Sequence, residues 1–383
     1  MTVRMPGQHA ITLYAIVICI LALVASTNRE LSLLKLISWY VTAQVMFIAL
    51  ADRRTAAAYW LNWFFSLYVG LLIFSTPLLF LPAGRWLNGV SFQGVFSQPQ
   101  AFGVYIAPFT AVVTVGIIRA TSLRWHALLT AALAWIMMFA SQCRTAVLAV
   151  SLGITVSIFV SFLRRSGERS NWLRPYIAMR FCLFAVIALF VASAYGDRAV
   201  SGISTFLFKG SSGSIWNPIF EKGGIASSRE SLVRPQLEQF REKPIAGTGF
   251  GLAPENVGQE IQTSDIYGLP LSAPTEPGFL PLALLAQTGI IGAAAWCLML
   301  FPLSRRVSFH APFEIGVLLW TVTFTTLGEM TFFAAGGLGL QLWLLLGLCA
   351  RISAERRLGR SLVPADSGAV LGTRRMGNVG FIA

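Results

Sequence analysis

Residues 124–165 read RWHALLTAALAWIMMFASQCRTAVLAVSLGITVSIFVSFLRR. Two apolar runs, 125–141 and 145–163, flank one internal charge, Arg144, and Arg124, Arg164 and Arg165 close the far ends. A helix that crosses a bilayer needs about 20 mostly apolar residues. The stretch therefore reads as two membrane helices joined by a short turn. Loops rich in Lys and Arg stay on the cytoplasmic side, so the turn that carries Arg144 faces outward.

The same pattern repeats on both sides of this hairpin. Further apolar runs lie at 10–27, 31–50, 57–81, 100–118, 176–195, 279–301, 313–328 and 332–350. Every second connection is Arg-rich, through Arg4, Arg53, Arg54, Arg119, Arg305, Arg306 and the tail after Arg351. The fold class is thus an all-α polytopic membrane protein of about ten transmembrane helices with one large extracytoplasmic loop. Residues 1–195 hold seven spans, 196–278 the loop, 279–350 three spans, and 351–383 a basic cytoplasmic tail expected to be disordered.

Composition agrees. Of 383 residues 55% are hydrophobic and 12% charged, against about 25% charged in soluble domains. The net charge of +13 sits in short loops, which is the orientation signal of a membrane protein, not a nucleic-acid interface. Five scattered cysteines and three scattered histidines give no disulfide framework and no metal spacing. No cofactor and no metal is expected.

Loop 196–278 carries nine of the sixteen acidic residues. Connections of that length are usually functional or disordered. Ser227-Ser228-Arg229-Glu230 reads as a capping box, and Val233, Leu237 and Phe240 recur at helical spacing until Lys243-Pro244 stops the helix. The run Gly247-Thr248-Gly249-Phe250-Gly251 follows. Such glycines suit either an anion-binding nest of backbone amides or a simple turn.

Four sites stand out chemically. Arg144 is costly at a membrane edge unless it faces a partner, and its fork suits phosphate. Arg229 opposes the helix dipole at the start of its helix. Gly247, Gly249 and Gly251 are the candidate nest. Glu276, at the entry of the span from 279, is a candidate general base or a dipole-stabilised acid. Lys35 and Arg180 lie near helix ends and are expected to snorkel.

With these residues in view, the chain resembles the O-antigen ligase and polymerase (Wzy-type) superfamily. Gly94 to Gly103, Ser141-Gln142-Cys143-Arg144-Thr145-Ala146, Ser228-Arg229 through Gly251, and Glu276 through Gly292 carry the resemblance. It implies a glycosyltransferase of the GT-C class in the bacterial inner membrane, with both termini cytoplasmic. Its donor would be an undecaprenyl-diphosphate-linked glycan. The acceptor would be another glycan or a lipid, membrane lipids would surround it, and other polysaccharide assembly proteins are expected partners. The resemblance assigns Arg144 and Arg229 to the donor diphosphate. Ligases carry a histidine about three turns before the glycine matching Gly289. Thr275 to Phe279 has none, which favours a polymerase and leaves Glu276 to take the proton. A transporter or flippase of lipid-linked saccharide is the alternative.

Overall fold

The computed structural model describes residues 5–52, 55–85, 91–120, 124–163, 230–252 and 278–361. Arg229, Glu276, Arg180 and the expected span at 176–195 lie outside these ranges. The described residues form helices and turns with no strand. In chain order the helices are α1 (Gln8–Ala25), α2 (Arg29–Leu50), α3 (Ala57–Ser75), α4 (Pro99–Arg119), α5 (Trp125–Ala140), α6 (Arg144–Leu163), α7 (Glu230–Glu242), α8 (Leu280–His310), α9 (Phe313–Thr325) and α10 (Leu338–Ser361). Among the described residues seven helices are long and apolar enough to cross a membrane, and α5 and α9 are shorter apolar helices.

Burial sorts these helices into layers. In α4 and α10, 78% of the apolar window is buried, against 28% in α1, α2 and α3. The outer helices turn large apolar side chains away from the bundle, including Leu13, Ile16 and Ile20 of α1 and Ile37, Val41 and Ile48 of α2. A soluble protein seldom exposes so much contiguous apolar surface. A lipid environment satisfies it.

Lipid tails are as apolar as leucine, so membrane helices associate through close packing of small residues. On α6, Gly153 and Ser157 sit one turn apart and are both buried. They face Thr321 and Gly316 of α9, and a Cβ on Gly153 would run into the Thr321 backbone. Gly153→Leu should overpack this contact and cost about 1–3 kcal/mol. Thermal unfolding in detergent should show a lower midpoint than the wild type; an unchanged midpoint would refute the close α6–α9 contact.

The two ends of the bundle differ. At one end Arg119 of α4 pairs with Glu314 of α9 at 2.6 Å. Arg351, 2% exposed, donates to the carbonyl of Ala51 at 3.1 Å. The opposite end gathers the starts of α2, α4, α6, α8 and α10, and α7 packs there against α8. This is the loop-bearing end.

Several expected boundaries shift. The run at 332–350 reads as one span, yet Thr331–Phe333 forms a 3-10 turn and α10 starts only at Leu338. Gly337, at φ 53°, breaks the apolar run. At its far end α10 continues to Ser361, so the tail expected from 351 begins as helix. Residues 362–383 lie outside the described ranges. The span at 279–301 is longer, Leu280–His310, and is broken internally at Gly289.

Candidate functional site

Arg144 is the first residue of α6. The turn before it is tight and strained. Gln142 adopts φ 53°, a conformation uncommon for a residue with a Cβ. The turn is held from outside: Ser91 Oγ donates to Gln142 Oε1 at 3.0 Å and the Phe92 amide donates to the Ala140 carbonyl at 2.9 Å. Cys143 is buried and packs against Gly103 of α4. The expected motifs around Gly94–Gly103 and Ser141–Ala146 thus meet in space. Their joint effect is to fix Arg144 half-buried at the positive end of a helix dipole. Such an end attracts anions through its free amides, and the guanidinium adds a full charge.

The second element is the glycine run. In an unbroken α8 the amides of Ile290 and Ile291 would donate to the carbonyls of Ala286 and Gln287. Here Gly289 takes φ 63°, ψ −168° and opens those two rungs. Residues 244–249 occupy the gap. Ile290 N donates to Pro244 O at 2.9 Å and Ile291 N to Ile245 O at 3.2 Å. Thr248 N donates to Ala286 O at 3.1 Å and Gly249 N to Gln287 O at 2.9 Å. The buried Gln287 side chain accepts from Gly251 N at 2.9 Å. Irregular backbone at membrane depth survives only where protein satisfies it, and this exchange does so.

Glycine is required where the two chains cross. A Cβ on Gly289 would strike the backbone of Ile245, and one on Gly247 the backbone of Gln287. Phe250, 2% exposed, plugs the clasp into an aromatic cluster, 6.2 Å from Trp39 and 5.0 Å from Phe333 between ring centroids. The Thr27 amide donates to Thr248 O at 2.9 Å, tying the clasp to the α1–α2 turn.

This geometry corrects the nest reading of the glycines. A nest needs free amides. Gly247 N donates to Lys243 O, Gly249 N to Gln287 O and Gly251 N to the Gln287 side chain. Gly247, Gly249 and Gly251 therefore form a backbone clasp and have no amide left for a diphosphate.

Lys35 of α2 reaches the same clasp. Its Nζ donates to Gly251 O at 2.7 Å. A hydrogen bond from a charged group contributes about 1.5–3 kcal/mol. Lys35→Met should loosen residues 243–252 and raise their cleavage rate in limited proteolysis of the detergent-solubilised protein. An unchanged cleavage rate would show that the tether carries no weight.

The Arg144 turn and the clasp are linked. Thr145 packs against Gly328, just past α9. Met330 Sδ accepts from Gln287 Nε2 at 3.8 Å, and the Leu280 amide at the start of α8 donates to Thr326 O. The two described non-glycine residues at positive φ, Gln142 and Phe279, open the α6 and α8 helices at this same end. Local strain concentrates at functional sites.

Residues 129–297 match the O-antigen ligase family. Over that segment the chain is similar to the O-antigen ligase and polymerase-like superfamily. The match spans α5, the Arg144 turn, α7, the clasp and the broken half of α8. The comparison with curated proteins finds no match. The O-antigen ligase family implies glycosyl transfer in a membrane setting, with lipid-linked glycan as the general substrate class. Sequence reasoning missed the Gly289 break and Gln287. The signal available was a buried-run glutamine and glycine, Gln287-Thr288-Gly289, inside an otherwise apolar span.

Proposed function

We propose that this O-antigen ligase-like protein transfers a glycan from an undecaprenyl-diphosphate carrier to a second glycan or lipid, at the extracytoplasmic face of the inner membrane. The observation that carries the reading is Arg144, set at the first position of α6 by a strained turn within the matched segment. Arg144 and Arg229 hold the diphosphate by charge-assisted, forked hydrogen bonds. The acceptor hydroxyl attacks the anomeric carbon as the bond to the diphosphate oxygen breaks. Both arginines neutralise the leaving diphosphate, and Glu276 takes the hydroxyl proton. No metal is needed for this step. The absence of a histidine near Glu276 favours polymerisation over ligation.

Charges in the described helices cluster toward the helix ends, whereas transporters place them near the midplane. No observation favours the flippase.

Deleting the gene tests the reading. Cells without the protein should accumulate unprocessed donor glycolipid and lose the longer or transferred glycan, and the wild-type gene should restore it. A glycan profile unchanged by deletion would refute the proposal.

A further inference from the structure

The inward face of α7 breaks the burial rule. Helical spacing predicts that Val233, Leu237 and Phe240 turn inward. In the structure Leu237 is 37% exposed and Gln236 is fully buried. Val233, Gln236, Gln239 and Phe240 make the inward stripe, while Arg234, Leu237, Glu238 and Arg241 face out. Turning a leucine outward and a glutamine inward forfeits apolar burial and desolvates an amide.

Among the described residues the amide gains nothing in return: neither Oε1 nor Nε2 of Gln236 has a hydrogen-bond partner there. Exchanging the two atoms, the usual ambiguity of a glutamine, leaves both unpaired. One turn on, Gln239 donates from Nε2 to Thr248 Oγ1 at 2.6 Å, so the clasp fixes it. Its Oε1 is buried without a partner among the described residues as well. Native structures rarely leave such groups empty, and each costs about 1–3 kcal/mol.

We propose that Gln236, supported by Gln239, binds hydroxyl groups of the glycan and sets which sugar is accepted. The proposal rests on the glycosyl-transfer reading and deepens it. Three unpaired atoms define the ligand: two oxygens that accept and one nitrogen that donates. A phosphate offers acceptors and would repel the two oxygens. A sugar hydroxyl donates and accepts at once. The two amides lie about 5–6 Å apart at the Cβ atoms, the spacing of helix neighbours three apart, so they read two hydroxyls of one glycan.

The test uses the full-length protein in nanodiscs, with donor glycolipid extracted from membranes of cells lacking it. Q236L keeps the side chain's size and removes its polar atoms. Its thermal midpoint should equal or exceed that of the wild type, because an unpaired buried amide is lost. Its KM for donor glycolipid should rise at least tenfold, with a smaller change in kcat. Q236A serves as the second variant, with the same KM rise expected. Unchanged KM in either folded variant overturns the assignment of Gln236 and leaves glycosyl transfer standing. A wild-type protein that leaves the donor covalently unchanged overturns both.

Discussion

Arg144→Ala is expected to lower glycan transfer by about thirtyfold to several-thousandfold while leaving the protein folded in the membrane. Truncating one partner of a hydrogen-bonded charge pair costs about 2–5 kcal/mol, and about 1.4 kcal/mol is a factor of ten in rate. The loss should fall on the rate more than on stability, because the Arg144 turn is held by Ser91, Phe92 and Cys143 contacts that the substitution leaves in place. Arg144→Lys should recover part of the activity, since lysine supplies charge without the fork. Arg119→Ala makes the control. It removes a 2.6 Å ion pair at the opposite end, and its effect should appear in thermal stability with transfer largely kept. Equal loss of transfer in both alanine variants would contradict a site at the loop-bearing end.

Gly289→Ala is expected to open the clasp. The position holds φ 63° with ψ −168°, where a side chain costs about 1–3 kcal/mol in backbone strain. Its Cβ would also meet the Ile245 backbone, which cannot rotate aside. The simplest relief is a continuous α8, with Ile290 and Ile291 returning to Ala286 and Gln287. That evicts residues 244–249 and frees Phe250 from its aromatic cluster. Proteolysis within residues 245–252 should accelerate, and transfer should fall at least tenfold because α7 loses its seat. Gly247→Ala approaches the same crossing from the other chain and should behave alike. A stable, fully active Gly289→Ala protein would contradict the exchange of hydrogen bonds described above.

These two sites show what a sequence reveals and what it hides. The position of Arg144 at the start of α6 was legible because one charge interrupts two apolar runs, and its role belongs to the proposal. Some span limits were legible for the same reason; α2 at Arg29–Leu50 and α4 at Pro99–Arg119 fall within two residues of their expected ends. The Gly289 break was hidden because its partner lies some 40 positions away, in a segment whose local pattern reads only as a glycine-rich turn. A lone glycine in an apolar run is compatible with a straight helix. The Lys35 tether was hidden because its acceptor, Gly251 O, is 216 residues distant. Gln236 was passed over because periodicity counts apolar residues, and Leu237 offered the better match. The structure settles that register through Gln239 and Thr248. Arg229 and Glu276 remain expectations drawn from sequence, within the glycosyl-transfer proposal.

The central claim is covalent transfer of a lipid-linked glycan by this chain. The most direct measurement is mass spectrometry of donor glycolipid incubated with purified protein in nanodiscs, with Arg144→Ala alongside. The account predicts longer or transferred glycan and released carrier diphosphate with the wild type, and little of either with Arg144→Ala. A donor that keeps its mass after incubation with the wild-type protein and an acceptor glycolipid would contradict it.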